Sequence, residues 1–271
     1  MTRISPLTDY KIPVFYGDTI RLKYPDENNP YLLSPYRTYK EGLYKYLVYH
    51  VTVRGKTLRE YITENNKPPE RKSFRSSFRR QTHVCMNPLD LLLKLIDSCE
   101  DSLHKNRLLS QSHINPDLIW IDYDANNKIS VQLLDIMDYD MAKEDINETM
   151  YLSPELLGKR NHLMYMANTD SLELYPQVQK RSSLNRYDTR PSTLSSVYSL
   201  GLVLYFIVNK RDPYEGSRVY VDERPRLTDT PPVYSKLIWI ATNANPQERP
   251  TLKELREIVI NARNPKTSLC C

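Results

Sequence analysis

His113 is the residue whose type and surroundings first indicate chemistry. It lies in QSHINPDLIWID, residues 111–122, with Asp117 and Asp122 close behind it and Asp135 further downstream. Histidine is the commonest general base in enzymes, and it needs a partner that orients its ring. The sequence offers no Ser-His-Asp set in a motif context and no metal-binding pair of histidines. The simpler interpretation is a histidine that makes structural hydrogen bonds in a loop between a helix and a strand.

The four cysteines limit the metal and redox chemistry that the chain can perform. Cys85, Cys99, Cys270 and Cys271 lack the spacing of a metal site, and four are too few for a disulfide scaffold. The first residues, MTRISPLTDYKIP, lack the apolar run of a signal peptide. The longest apolar stretch, 200–208, is shorter than the ~20 residues that span a bilayer. We therefore expect an intracellular, cytoplasmic protein with reduced thiols.

The last two cysteines allow a second interpretation of where the protein resides. The sequence ends in KTSLCC, which is similar to the double-cysteine ending that is prenylated in Rab-type small GTPases. Two lipid chains would anchor a protein stably to a membrane. Lipidation of Cys270 and Cys271, and with it membrane association, is therefore one hypothesis. A chance pair of unmodified cysteines is the other.

The positive charge of the chain is concentrated in one segment. The net charge is +5, and residues 67–80, KPPERKSFRSSFRR, hold six basic residues and one acid. A solvated loop is the simpler interpretation, and contact with an anionic surface, such as an acidic protein or anionic lipid, is the alternative. We do not expect nucleic acid as a partner. The cations available for such a contact are Arg71, Lys72, Arg75, Arg79 and Arg80.

Apolar spacing predicts strands near the start of the chain and helices in most of the remainder. One or two strands are expected within residues 1–35, and the Val- and Tyr-rich stretch 43–53 predicts another. Asn87-Pro88 predicts the start of a long helix, with the asparagine as its cap. Short strands are expected at 118–122 and 129–137. Further helices are predicted from the apolar patterns at 56–63, 151–157, 192–210, 234–242 and 251–263.

Three motifs occur in an order that resembles the C-terminal lobe of the protein kinase family. They are Ser153-Pro154-Glu155, the SVYSLG sequence at 196–201 and Arg249-Pro250-Thr251. The resemblance implies an α+β fold with a mainly helical C-lobe at 51–263, a reduced, strand-bearing N-lobe at 1–50 and a flexible tail at 264–271. It also implies insertions near 65–85 and 158–192 and a buried ion pair between Glu155 and Arg249.

The loop around His113 departs from the pattern of that family. When Pro116 is placed on the family's catalytic-loop proline, His113 replaces the aspartate that accepts the substrate hydroxyl proton. Asn115 replaces a lysine, and Leu118 replaces an asparagine that holds a metal ion. Ser196 stands where the family has the acid that anchors this loop from the core helix. Because phosphoryl transfer depends on positioning and charge neutralisation, these positions predict a degenerate catalytic loop.

Two further residues resemble groups that bind the nucleotide in the family. Asp135 aligns with the aspartate that binds Mg²⁺, and Lys23 is a candidate for the lysine that grips the phosphates. Each has a simpler interpretation, a turn cap for Asp135 and a solvated strand-end lysine for Lys23. The chain has six glycines and no Gly-x-Gly-x-x-Gly loop.

These departures favour a binding function over catalysis. The sequence predicts a catalytically inactive pseudokinase that is not an enzyme, binds neither ATP nor Mg²⁺ as a cofactor, and acts as a protein-binding or scaffolding module. One alternative is a divergent nucleotide-binding protein or active phosphotransferase that uses Asp135 and Lys23. Another is a structural protein anchored by lipids on Cys270 and Cys271.

Overall fold

The structure is a computed structural model, and it combines two small sheets with a set of helices. The fold is mixed α+β and compatible with the kinase-like α+β class that the motifs predict. The chain is described at residues 7–15, 31–41, 44–65, 86–104, 114–123, 128–134, 150–157, 192–214 and 224–264.

The first sheet is antiparallel and contains strands β1 (Leu7–Phe15), β3 (Arg37–Glu41) and β4 (Tyr44–Thr52), in the order β1-β4-β3. β4 is the strand predicted at 43–53. β3, with the sequence RTYKE, was not predicted, because it lacks an apolar alternation. It lies at an edge of this sheet, where charged side chains are tolerated.

The second sheet contains β2 (Leu32–Leu33), β5 (Lys56–Thr57), β6 (Ile119–Tyr123) and β7 (Ile129–Leu134). Its order is β2-β7-β6-β5, and β2 is parallel to β7, whereas the other pairs are antiparallel. β6 and β7 correspond to the two strands predicted at 118–122 and 129–137. Their inner faces carry β-branched residues that pack against the helices.

The helices lie mainly in the later part of the chain, as the apolar periodicity predicts. They are α1 (Leu58–Asn65), α2 (Pro88–His104), α3 (Thr193–Asn209), α4 (Pro232–Ala241) and α5 (Leu252–Arg263). The Oδ1 atom of Asn87 accepts a hydrogen bond from the Leu89 amide at 2.9 Å, so it caps α2 as predicted. Thr251 and Glu254 form a capping box that begins α5.

α3 is the centre of the main hydrophobic core. Its residues 195–207 are all buried, which agrees with a sequence that is apolar on nearly every side. Gly201 allows α3 to approach α4 closely. A Cβ atom at Gly201 would lie 2.8 Å from the Cβ of Ala241 and 3.0 Å from the Cγ2 of Thr242.

A second group of buried residues joins the two sheets, and we call it the bridging cluster. The aromatic ring of Trp120 lies within it, with the ring of Tyr10 at a centroid distance of 5.0 Å. Gly55 leaves space for Trp120, because a Cβ atom at Gly55 would overlap the indole ring. The buried members of the bridging cluster are Leu47, Tyr49, Val51, Leu118, Trp120 and Leu134.

Several predictions fall outside the described residues. Of the predicted insertion at 65–85, only Asn65 is described, and of the one at 158–192, only Ser192 is described. The tail after Asn264 also lies outside the described residues, and the division into lobes stays a prediction. Among the described helices, none is both long and apolar enough to cross a membrane.

Candidate functional site

The described part of the candidate catalytic loop, residues 114–118, forms a turn that Asn115 closes. Its Oδ1 atom accepts hydrogen bonds from the amides of Asp117, at 2.9 Å, and Leu118, at 3.1 Å. Asn115 is only 5% exposed, so this amide side chain is committed to the turn. It therefore stabilises the shape of the loop, and as a neutral amide it supplies no cation at the position that the resemblance aligned with a lysine.

Leu118, which the kinase resemblance aligned with a metal-binding asparagine, is a buried packing residue. Its side chain is 5% exposed and belongs to the bridging cluster, beside Trp120 and Leu134. Its carbonyl oxygen accepts a hydrogen bond from the Leu134 amide at 2.8 Å. Mg²⁺ requires oxygen ligands in octahedral geometry, which an apolar cluster does not provide. The described residues at this position therefore do not fit a metal site, and nowhere among the described residues do three metal-ligating side chains meet.

Arg59, near the start of α1, forms hydrogen bonds with the loop through its backbone and its side chain. Its amide donates to the Pro116 carbonyl at 3.1 Å. Its Nε atom donates to Oδ1 of Asp117 at 2.8 Å, and its Nη1 atom donates to Oδ1 of Asp212 at 3.0 Å. The Oδ2 atom of Asp117 lies 3.0 Å from the same Nε atom, and the Oδ2 atom of Asp212 lies 3.1 Å from the same Nη1 atom. One planar guanidinium thus holds the loop and the segment after α3 together.

Tyr151 joins this network from the segment 150–157. Its hydroxyl donates to Oδ1 of Asp212 at 2.7 Å, and the residue is 1% exposed. Burial and the neighbouring Asp212 carboxylate raise the pKa of Tyr151 far above its usual value, so the phenol stays neutral. Burial disfavours the charge of Arg59, but the hydrogen bond to Asp117 and the negative groups nearby raise its pKa further.

Glu155, within the segment 150–157, forms a buried ion pair with Arg249. Nη1 and Nη2 of Arg249 each donate to one carboxylate oxygen of Glu155 at 2.8 Å. The side chains are 4% and 0% exposed. Ser195 also donates to Glu155, at 2.9 Å. The remaining donors of Arg249 reach the carbonyl oxygens of Asn243, Leu194 and Ala244 at 2.7, 2.9 and 3.2 Å.

The charge state of this buried pair follows from its surroundings. Burial alone would raise the pKa of Glu155, but the hydrogen bonds and positive charge of Arg249 outweigh it and hold that pKa below the usual value. Glu155 is therefore an anion with its hydrogen bonds satisfied. The segment that follows the candidate metal-binding Asp135 is thus tied to the C-terminal helices by a charge pair 94 residues apart in sequence.

The remaining candidate residues lie outside the described part of the chain. His113 directly precedes the described loop, and Asp135 directly follows Leu134 at the end of β7. Lys23, the cations of the 67–80 segment and the pair Cys270 and Cys271 lie outside as well. Their predicted roles stay predictions.

Sequence reasoning did not single out Arg59 and Asp212, which carry the network. Arg59 lies 58 residues from Asp117 and 153 residues from Asp212. Neither belongs to one of the three kinase-like motifs. A charged residue on a short amphipathic helix gives no spacing signal for partners so distant in sequence, so only the fold brings these residues together.

No family model matches the chain. The chain is similar to a protein of Acanthamoeba polyphaga mimivirus that is named a "putative serine/threonine-protein kinase". The two sequences are 24% identical over 180 residues, which cover 62% of this chain and 54% of the mimivirus protein. The chain therefore spans about half the length of that relative. The low identity supports a kinase-like relationship and nothing finer.

This match corrects one expectation from the sequence. The degenerate loop predicted that the chain is not an enzyme, and that prediction is wrong, because the relative is named as a kinase. That expectation treated the missing catalytic-loop residues as a loss of activity, and the similarity to a protein named as a kinase does not support it. Scaffolding and lipidation stay predictions.

Proposed function

We propose that this chain is a divergent phosphotransferase of the protein-kinase type. The observation that carries the proposal is the buried, doubly hydrogen-bonded Glu155–Arg249 pair, which fixes the segment 150–157. In the kinase-like arrangement this segment ends the region that presents a protein substrate. The similarity to the mimivirus protein named as a kinase supports the same class of reaction.

The contacts of the described residues suit the positioning that phosphoryl transfer needs. The reaction depends on holding donor and acceptor in line and on electrostatic stabilisation of the transferred group. Glu155 with Arg249 holds one side of the segment 150–157, and Tyr151 with Asp212 holds the other. Both attachments are buried or half-buried, so they resist thermal motion better than exposed ion pairs.

A phosphoryl donor is part of this proposal, and it replaces the expectation that the chain binds no ATP. Asp135 and Lys23 are the candidate side chains for the donor. Leu118 contributes no ligand, since it packs in the bridging cluster. The proposal therefore gives the described residues a role in holding the loop and the substrate segment and assigns none of them to a metal ion.

The decisive test combines donor binding with phosphate transfer. We would measure the thermal shift of the full chain with ATP, with and without Mg²⁺, and the transfer of labelled γ-phosphate to a mixed protein substrate. A donor at 100 times its Kd should stabilise the protein by about 2.7 kcal/mol. Asp135→Asn should abolish both signals. Asp229→Asn is the matched control, because the Asp229 side chain is 74% exposed and forms an ion pair with Arg211 at the surface.

Either result is informative. Labelled product that depends on Asp135 supports the proposal. The absence of both a shift and a labelled product at millimolar ATP, with well-folded protein, would overturn it.

Scaffolding and membrane anchoring are separate predictions, and no specific contact of the described residues favours either of them. A protein partner, and an anionic surface bound by the 67–80 segment, stay predictions. Lipidation of Cys270 and Cys271 is tested by the mass of the C-terminal peptide from protein made in cells. An unmodified mass would end that hypothesis.

A further inference from the structure

Arg59 is the point at which three separate parts of the chain meet. α1 supplies the arginine, the loop 114–118 supplies Asp117, and the segment after α3 supplies Asp212, which also binds Tyr151. The guanidinium carbon lies 5.0 Å from the centroid of the Phe206 ring. The guanidinium therefore has the Phe206 ring on one face and the two carboxylates at its edges.

We propose that Arg59 is a positioning residue that couples the loop 114–118 to the segment 150–157, so that the two keep one relative arrangement. The path runs from the loop through Asp117 to Arg59, then through Asp212 to Tyr151. Each step is a hydrogen bond of 2.7 to 3.0 Å. No other described side chain makes hydrogen bonds to both Asp117 and Asp212.

This arrangement gives the loop an anchor on α1. The kinase-like pattern has an acid on the core helix for that purpose, and this chain has Ser196 there. The Oγ atom of Ser196 lies 3.5 Å from the Ser192 carbonyl, within the N-terminal turn of the same helix. Arg59 contacts the loop through both its backbone amide and its side chain.

The geometry of the guanidinium explains why both partners are needed. A planar fork can bind two carboxylates at once, whereas a lysine ammonium is a single point charge. Asp117 and Asp212 are 41% and 30% exposed in their side chains. Without Arg59, two like charges would face one site and move apart, and each would take its own segment with it.

The coupling is tested by amide hydrogen exchange of the full chain, read by mass spectrometry. Arg59→Met should raise the exchange rate at least tenfold in both regions, including the hydrogen-bonded amides of Leu118 and Leu157. Arg256→Met is the matched control, because Arg256 also contacts two carboxylates, those of Asp97 and Glu100, between α5 and α2. That change should raise exchange in α2 and α5 and leave both coupled regions unchanged.

Asp212→Asn gives the sharper readout and protects the test against a variant that fails to fold. Asp212 makes no described contact with the loop 114–118, so a merely local role would leave the loop unaffected. Coupling through Arg59 requires faster exchange of the loop in this variant. A loop that exchanges at the wild-type rate in Asp212→Asn, or a uniform rise over the whole chain in Arg59→Met, would overturn the proposal.

The catalytic meaning of the coupling rests on the proposed function, but the coupling itself does not. If the wild type transfers phosphate, Arg59→Met should lower kcat at least tenfold with a smaller change in the KM for ATP. Coupled exchange in a chain without any phosphate transfer would disprove the proposed function and leave this inference intact. Phosphate transfer without coupled exchange would support the proposed function and disprove the coupling.

Discussion

The pair of Glu155 and Arg249 is the most demanding electrostatic contact among the described residues. Glu155→Gln would leave Arg249 charged in a site where its side chain is 0% exposed. We expect a loss of about 3–5 kcal/mol in the free energy of unfolding, measured by urea denaturation. Arg211→Met, which removes the exposed pair with Asp229, should change it by less than about 1 kcal/mol. Equal effects of the two variants would contradict the burial argument.

Acid should act on the same pair in a predictable direction. The pKa of Glu155 lies below its usual value in the folded state, because Arg249 outweighs the effect of burial. The stability that this shift provides is present above the unfolded pKa of about 4.5 and is lost as the pH falls through the folded pKa. Below about pH 4.5 the wild type should therefore lose stability more steeply than Glu155→Gln. Parallel curves in urea titrations between pH 3 and pH 7 would contradict this.

Cys99 should be chemically inert in the native protein. It is 0% exposed within α2, and burial, with a smaller effect of Glu100, raises the pKa of its thiol to about 12. Because the thiolate is the reactive form, iodoacetamide at pH 8 should leave Cys99 unmodified in the native chain and label it fully in urea. The mass of the peptide that contains Cys99 reports the outcome. Labelling at similar rates in both states would show that α2 opens readily.

At the scale of elements, the contact between α3 and α4 depends on the missing side chain at Gly201. Alanine normally stabilises a helix relative to glycine. Here its Cβ would press on Ala241 and Thr242, so Gly201→Ala should cost about 1–3 kcal/mol, measured by thermal unfolding. Lys253→Ala, on the exposed side of α5, is the control and should be nearly neutral. A stabilising effect of Gly201→Ala would mean that the two helices can separate without loss of packing.

The elements that the sequence predicted best are those with strong apolar periodicity or clear caps. α2 has both, because Asn87 caps a helix with leucines at regular spacing. β3 has neither, and β2 has only two residues. The network around Arg59 was not predictable for a different reason. It depends on which helix the tertiary fold places beside the loop, and no local pattern encodes that.

At the scale of the whole molecule, the bridging cluster joins the two sheets. Leu47, from the first sheet, packs in the same cluster as Leu118, which directly precedes β6, and Trp120, which lies in β6. Thr52, at the end of β4, donates a hydrogen bond to Asp122 of β6 at 2.7 Å. The kinase-like relationship and the α+β class were predictable from three ordered motifs. The contacts between the two sheets were not predictable from them.

The pairing of Glu155 with Arg249 also has a consequence for how the chain is made. A ribosome releases Glu155 long before Arg249 has been synthesised, so the nascent chain carries a carboxylate whose partner does not yet exist. Until then, burying that carboxylate would be strongly unfavourable. The core around α3 should therefore close late, after nearly all of the described chain has emerged, and a product that stops before residue 249 should remain bound to chaperones.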